Sequence, residues 1–365
     1  MNACLVYIQL LWIMVSGANT FDQNEMQRWV EQMQSVPYEN QQSENTHQDL
    51  YVFQPEKQRV SKLNRSTKKL SSLFELKSDK YIPTDLLVTN KEEFWVAWHD
   101  QPGVKSSKLV KYDRTGRELR EWVVELYGLN QLIGSKQFLV AKSGDVNERL
   151  ETGIAVLNQI DPSKDRLIYV PGIIVFMEMR NESEIILISN GIEDGKSRVW
   201  ILDAQKNELR EISNLFESDW FSETKQLTQV HALTNENWAI VVRSIENNEE
   251  TLYHYHRNRD EMSKKLLYGA SHLFSVSYQR DMNQLVVGSM VDPTKGKLTA
   301  IDLNKKSLIM SVDLASFPTK LVNTDQGIFV IDEMSGEGLE FSSAMNQPHS
   351  FNLQHETWLV TRELE

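Results

Sequence analysis

The sequence predicts an all-β fold, a seven-bladed β-propeller, and three observations lead to that prediction. The stretch LVKYDRTGRELREW, Leu109–Trp122, alternates apolar and polar residues on both sides of a D-x-T-G turn, as paired antiparallel strands do. Segments of the same shape recur along the chain. Finally, a hairpin near the start and a strand near the end both lack neighbours of their own, so together they can complete one more blade.

Six further hairpin-like segments begin at Tyr51, Val156, Val199, Tyr253, Thr299 and Glu340. Their turns recur at intervals of roughly 42 to 59 residues, which is typical of propeller blades with four strands each. Four of the turns open on an aspartate, whose carboxylate accepts hydrogen bonds from backbone N–H groups two or three residues later. These are Asp113, Asp161, Asp203 and Asp302. We therefore interpret them as turn-forming rather than catalytic residues.

Strand pairs before six of the hairpins supply the inner half of each blade, so six complete blades extend over about residues 85–353. The first hairpin, YVFQPEKQRVSKL from Tyr51, has no inner strands before it, and TWLVT, Thr357–Thr361, has no partner after it. Both chain ends are therefore predicted to share a seventh blade, which closes the ring and removes exposed sheet edges. A six-bladed ring with a separate N-terminal hairpin is the alternative. The predicted propeller domain covers residues 50–365.

Length and charge limit the classes of function. The chain has 365 residues, enough to bury a large core, and a formal net charge of −12. This charge argues against nucleic acid as a partner, because such binding depends on Lys and Arg that neutralise phosphates. It also disfavours anionic membrane surfaces and is compatible with a basic protein partner.

The first 18 residues resemble a secretory signal peptide. An apolar run from Leu5 to Val15 is too short to span a bilayer, and Ser16-Gly17-Ala18 offers small residues for cleavage after Ala18. Cleavage would remove Cys4, the single cysteine, so the mature chain would have neither disulfides nor thiol ligands. We therefore expect a secreted or periplasmic protein without a stable transmembrane segment. The alternative is a buried N-terminal strand or helix.

Residues 19–49 are predicted to form a short amphipathic helix followed by a polar linker. Asp22 and Glu25 have the spacing of a capping box at the start of DQNEMQRWVEQMQ, Asp22–Gln34. Four apolar residues then fall on one helical face, and SVPYENQQSENTHQ follows as a Gln/Asn-rich segment. The helix could dock on its own propeller or engage another protein. The apolar face consists of Met26, Trp29, Val30 and Met33.

The predicted inner strands offer a mixed set of polar residues that could line a central channel. They include carboxylate, imidazole, guanidinium and amide groups, but no recognisable acid/base pair, and no catalytic residue is assigned. His254 and His256 lie two apart on one strand, yet no third ligand can be placed beside them, so no metal site is predicted. Trp95 and Trp98 are expected to pack between blades. The candidate channel residues are Glu178, Arg180, His231, Arg280 and Asn323.

The segments LVKYDRTGRELREW and KLTAIDLNKKSLIMSVDL resemble the repeats of quinoprotein-like (PQQ-type, YVTN-like) bacterial propellers. The full turn motif stands at Asp113-Arg114-Thr115-Gly116, and Trp122 matches the tryptophan of that repeat. The resemblance implies the propeller fold and says little about activity. A quinone dehydrogenase of the disulfide type would need cysteines that a mature chain lacks. No cofactor is therefore expected.

Two classes of function remain open from the sequence. The first is an exported, non-catalytic propeller that presents a rigid surface to a protein partner, in envelope assembly or sensing. The second is a small-molecule-binding or hydrolytic, lactonase-like enzyme that uses the central channel. The lack of a catalytic motif favours the first.

Overall fold

The structure is a computed structural model, and its described part is built almost entirely of β-strands. It describes residues 50–54, 57–64, 67, 69–76, 78, 81–89, 92–100, 106–216, 220, 222, 224–234, 237–257, 262–324, 327–333, 335–342, 349–352 and 359–362. The predicted signal peptide, helix and linker, including Trp29, lie outside these residues. Within the described part, no helix is long and apolar enough to cross a membrane.

Twenty-eight strands form seven four-stranded antiparallel sheets, or blades, in the described chain. The first strands are β1 (Leu50–Gln54), β2 (Arg59–Asn64) and β3 (Lys69–Glu75). Blade 1 consists of β4 (Tyr81–Thr89), β5 (Glu93–Asp100), β6 (Ser107–Tyr112) and β7 (Glu118–Val124). Blade 2 consists of β8 (Leu129–Gly134), β9 (Phe138–Val146), β10 (Glu151–Asn158) and β11 (Arg166–Pro171). Blade 3 consists of β12 (Ile173–Met179), β13 (Glu184–Asn190), β14 (Ser197–Asp203) and β15 (Glu208–Glu211).

Blades 4 to 6 continue the same meander. Blade 4 consists of β16 (Lys225–Ala232), β17 (Asn237–Ser244), β18 (Glu250–Arg257) and β19 (Met262–Ala270). Blade 5 consists of β20 (His272–Gln279), β21 (Gln284–Asp292), β22 (Lys295–Asp302) and β23 (Ser307–Leu314). Blade 6 consists of β24 (Lys320–Thr324), β25 (Gly327–Ile331), β26 (Glu337–Ser342) and β27 (His349–Asn352), and the last strand is β28 (Leu359–Arg362). Short 3-10 turns lie at Pro162–Lys164, Ser213–Leu215 and Arg280–Met282.

Blade 7 is shared by both ends of the chain, which confirms the predicted seven-bladed ring and makes the six-bladed alternative wrong. β28 pairs antiparallel with β1, with Arg362 opposite Leu50 and Leu359 opposite Phe53, and the sheet order is β28-β1-β2-β3. The Tyr51 hairpin therefore supplies the second and third strands of its blade, not the outer pair that the sequence predicted. Its outer strand is β3, whose mixed KLSSLFE pattern gave a weak strand signal because only one of its seven residues is buried.

The core is divided among the interfaces between neighbouring blades. Each strand sends alternate side chains to the blade on either side: Leu50 and Val52 pack against blade 6, whereas Tyr51 and Phe53 pack against blade 1. Second strands such as EIILISN and GIFVI consequently read as nearly continuous apolar runs, since both faces are buried. The predicted positions of two tryptophans are confirmed. Trp95 is buried between blades 1 and 2, and Trp98 between blades 7 and 1.

The turn aspartates act as the sequence predicted. The carboxylate of Asp113 accepts a hydrogen bond from the Thr115 N–H at 2.9 Å, and Asp302 accepts from Asn304 N–H at 2.8 Å. Asp161 and Asp203 accept equivalent bonds from residues two positions later. Their carboxylates are therefore occupied in forming the turns between the third and fourth strands.

Removing residues 357–365 tests the shared blade. The truncated chain loses β28, leaves the edge of β1 unpaired and opens the ring, so we expect the free energy of unfolding to fall by several kcal/mol in equilibrium urea denaturation. A control chain that lacks only residues 363–365 keeps β28 and should unfold like the full chain. Equal midpoints for both truncations would contradict closure through β28.

Candidate functional site

Each blade from 1 to 5 carries a β-bulge near the start of its innermost strand. The register slips by one residue at each of these points, which interrupts the hydrogen-bond ladder to the second strand. Because these backbone groups are buried, they need partners from elsewhere. The slips lie between Pro83 and Asp85, Leu129 and Gln131, Ile174 and Phe176, Leu227 and Gln229, and Leu273 and Ser275.

The backbone N–H just before the bulge is satisfied by the preceding blade at three junctions. The Leu129 N–H donates to Ser107 Oγ at 3.3 Å, and the Ile174 N–H donates to Thr152 Oγ1 at 3.1 Å. At the junction of blades 4 and 5 the Leu273 N–H donates to the carboxylate of Glu250 at 2.5 Å. The acceptor residue stands at or next to the start of the third strand each time. Two junctions use a hydroxyl and the third uses a buried carboxylate.

The carbonyl of the same residue is also satisfied from the preceding blade. Thr84 Oγ1 donates to the carbonyl of Leu129. Lys142 Nζ donates to Ile174 O at 3.1 Å, and Gln229 Nε2 donates to Leu273 O at 2.8 Å.

Between blades 5 and 6 a related contact is made by a serine. Ser275 Oγ donates to Pro318 O at 3.0 Å, just before β24. The polar side chains near the bulges thus connect consecutive blades around the ring.

The junction of blades 3 and 4 uses a different contact. Counted from the bulge, Phe176 stands where other blades carry polar side chains that accept or donate a hydrogen bond, and a phenyl ring can do neither. The polar residues at this position are Asp85, Gln131, Gln229 and Ser275. Two residues further along these strands, Glu178 on β12 meets His231 on β16, with 2.6 Å between Oε2 and Nδ1. The ring of Phe176 stands edge-on to the imidazole, with centroids 5.2 Å apart.

The hydrogen bonds around His231 determine where its protons lie. Gln229 donates its amide N–H to Leu273 O, so its Oε1, 3.0 Å from His231 Nε2, is the acceptor and Nε2 carries a hydrogen. A second proton is then shared between Nδ1 and the Glu178 carboxyl. His231 is 0% exposed and Glu178 is 1% exposed. The pair is therefore an acid/base pair sealed from solvent.

Burial governs the protonation of Glu178. Desolvation raises its pKa above the usual value of 4.5, and the neighbouring His231 offsets only part of that effect. Lys142 responds in the opposite direction, since burial of its ammonium lowers its pKa to about 8. Both groups thus favour their neutral forms more than they would in water.

The other candidate channel residues have different surroundings. Arg180 lies in the turn after β12, pairs with Glu184 at 3.1 Å and stands over the ring of Trp238. Arg280 lies in the exposed 3-10 turn after β20. Asn323, on β24, donates to Tyr278 O at 3.0 Å. Of the five candidate channel residues, Glu178 and His231 are hydrogen-bonded to each other.

Sequence reasoning missed several polar residues of the inner ring. Lys142 is the clearest, because a lysine within the apolar stretch FLVAKSG is itself a signal of a buried polar contact. The cluster of Arg243, Glu250 and His272 was also missed, since its members are separated by turns. Within the described residues, no group of three His, Cys, Asp or Glu side chains is arranged to hold a metal ion. His256 of the strand-borne histidine pair contacts Asn237 Oδ1 at 2.7 Å.

Comparison with known proteins identifies the fold. No family model matches the chain, and no curated protein matches it. A solved structure named "putative 6-phosphogluconolactonase", from Bacteroides uniformis, is similar with a TM-score of 0.60 at 8% identity, covering 86% of this chain and 99% of its own. A hypothetical selenium-binding protein from Sulfolobus tokodaii has a TM-score of 0.57 at 11% identity, with 87% and 94% covered.

Prolyl oligopeptidase B from Galerina marginata is a further structural neighbour. Its TM-score is 0.60 at 8% identity, and the match covers 91% of this chain but 54% of the oligopeptidase chain. The likeness is one of fold alone. The quinoprotein-like repeat type remains a resemblance.

The pH dependence of stability tests the protonation of the Glu178–His231 pair. Because the pKa of Glu178 is raised on folding, its contribution to stability is complete below pH 4.5 and is lost as pH rises through the folded-state value. Glu178→Gln cannot titrate, so wild type should lose stability relative to this variant as the pH rises above 4.5 in urea unfolding. Glu184→Gln, in a partly exposed ion pair, is the control. A constant difference between wild type and Glu178→Gln across this range would contradict the assignment.

Proposed function

We propose that this protein is an exported, non-catalytic β-propeller scaffold that binds a protein partner, in envelope assembly or sensing. The observation that carries the proposal is the use of the inner-strand polar groups. Glu178 and His231, the nearest approach to a catalytic pair, are fully buried. They bond to each other, and His231 also bonds to Gln229. They connect blades 3 and 4, as other side chains connect the blades at neighbouring junctions.

Other polar side chains near the bulges also connect neighbouring blades. Thr84, Lys142 and Gln229 direct their donors to backbone carbonyls of the next blade. Groups committed to such bonds contribute to rigidity, and a rigid ring is a suitable support for binding loops and appended segments. The net charge of −12 favours a partner with a basic surface.

We further propose that the partner is engaged through the segment Asp22–Gln34. Its apolar positions Met26, Trp29, Val30 and Met33 have the spacing of a helix that lies in a partner's groove. Trp29 is the expected anchor, because buried tryptophans dominate many interfaces. This proposal rests on the sequence of the segment, together with export after cleavage at Ala18.

A hydrolytic, lactonase-like activity is the second candidate, and one contact favours it. Glu178 and His231 lie 2.6 Å apart on inner strands, and a carboxyl beside an imidazole can move a proton. The name of the Bacteroides uniformis neighbour is consistent with that chemistry but belongs to a chain 8% identical. The complete burial of both side chains makes this the weaker proposal.

A pull-down with the full chain from an envelope extract tests the scaffold proposal. Trp29→Ala should greatly reduce recovery of the partner while the melting temperature stays nearly unchanged, because the anchor residue serves binding rather than folding. Gln27→Ala, outside the apolar face of the predicted helix, should recover the partner like wild type.

Two outcomes would contradict this proposal. A loss of stability in Trp29→Ala equal to its loss of binding would indicate that the helix packs on its own propeller. Lactone hydrolysis by the wild-type chain that disappears in His231→Gln would replace the scaffold with the enzyme.

A further inference from the structure

The junction of blades 4 and 5 contains a buried charged cluster made of Arg243 on β17, Glu250 on β18 and His272 at the start of β20. Arg243 donates from Nε and Nη2 to Glu250 Oε1, at 3.0 and 2.6 Å. The other carboxylate oxygen accepts the Leu273 N–H. Glu250 is 1% exposed and His272 is 3% exposed. The cluster stands where other junctions place the hydroxyl of Ser107 or Thr152.

One nitrogen of this cluster faces two incompatible partners. His272 Nδ1 lies 3.2 Å from Arg243 Nη2, a donor, and 3.1 Å from Glu250 Oε2, an acceptor. A neutral ring with its hydrogen on Nε2 accepts from Arg243 through the Nδ1 lone pair. A protonated ring has no such lone pair and donates from Nδ1 to the carboxylate. The imidazolium also repels the guanidinium beside it.

We propose that this junction is a proton-operated switch. When His272 is protonated, it replaces Arg243 as the partner of Glu250, and the Arg243 guanidinium is released. The step adds one proton from solvent to Nδ1 and forms a hydrogen bond from Nδ1 to Oε2. It breaks the bond from Arg243 Nη2 to Nδ1 and the two bonds from Arg243 to Glu250 Oε1. It does not depend on the proposed scaffold function. Arg243 can move, because 23% of its side chain is exposed.

The surroundings support a switch with two defined states. Among the described contacts, the charged groups that face His272 are Arg243 from β17 and Glu250 from β18. Phe274, on the same strand as His272, stands edge-on with ring centroids 4.7 Å apart. Burial alone would raise the pKa of Glu250, but Arg243, His272 and the Leu273 N–H lower it to about 2. The carboxylate therefore stays charged at all but strongly acidic pH. The Leu273 N–H keeps its acceptor in both states.

The other junctions with this geometry cannot respond in the same way. Ser107 and Thr152 accept the equivalent N–H with hydroxyls that do not titrate in water. A fall in pH should thus act on the group that accepts the Leu273 N–H and leave the equivalent hydroxyl acceptors at the other two junctions unchanged. At acidic pH the Arg243 side chain should then be exposed to solvent near the turn between β17 and β18.

NMR of the full chain tests this switch through the Nε–H of Arg243. Below the titration midpoint of His272, the population in which Arg243 is bound should fall about tenfold per pH unit, and the protection of its Nε–H from solvent exchange should fall with it. The ratio to Arg120, which pairs with Asp165 in blade 2, corrects for the intrinsic pH dependence of exchange. The titration of the His272 ring is recorded in the same samples.

Two substitutions complete the test. His272→Gln keeps a hydrogen-bonding side chain but cannot titrate, so the ratio of Arg243 to Arg120 should become independent of pH. His254→Gln, which alters a histidine outside the cluster, should leave the wild-type response intact. A flat ratio in the wild-type chain across the His272 titration would overturn the proposal, as would an unchanged response in His272→Gln. The wild-type titration decides the matter even if His272→Gln does not fold.

Discussion

The ring depends on one constraint: a bulge near the start of the innermost strand in blades 1 to 5 interrupts the ladder, and at three junctions the freed backbone groups find their partners in the preceding blade. A buried N–H or C=O without a partner costs about 1–3 kcal/mol. Leu129, Ile174 and Leu273 each receive a partner for both groups from the blade before them. A blade in isolation would lose these bonds as well as its apolar contacts. The pairing of β28 with β1 is the corresponding requirement at the point where the chain ends meet.

This constraint changes how the polar residues of the inner strands should be interpreted. Buried polar groups on the inner strands of a propeller suggest an active site, yet here Glu250, Gln229 and Lys142 bond to backbone groups of the next blade. Glu178 and His231 are the closest to an exception, since they bond to each other. Even so, they connect blade 3 to blade 4 at the junction where Phe176 supplies no polar group. The connection of neighbouring blades therefore explains these polar residues of the inner strands without a catalytic role.

The parts of the fold that could be predicted from sequence are those with a short-range signal. The turns at Asp113 and Asp302 have a local hydrogen-bonding motif, and the spacing of the hairpins indicated seven blades. The inner bonds could not be predicted because their donors share no residue type: a hydroxyl from Thr84, an ammonium from Lys142 and an amide from Gln229 perform the same task. Glu178 and His231 were selected as polar residues on inner strands, but their contact depends on a register that bulges shift by one residue. The Tyr51 hairpin was misplaced within its blade because β3 is largely exposed and weakly patterned.

Equilibrium urea unfolding of Ser275→Ala tests the central claim most directly. Ser275 and Ser277 are both buried on β20, but the described structure gives a bond to a backbone carbonyl of the next blade only for Ser275. We predict that Ser275→Ala lowers the free energy of unfolding by about 1–3 kcal/mol, the cost of leaving Pro318 O unpaired. Ser277→Ala should change it by less than about 0.5 kcal/mol. Equal effects of the two substitutions would contradict the dependence of each blade on donors from its neighbour.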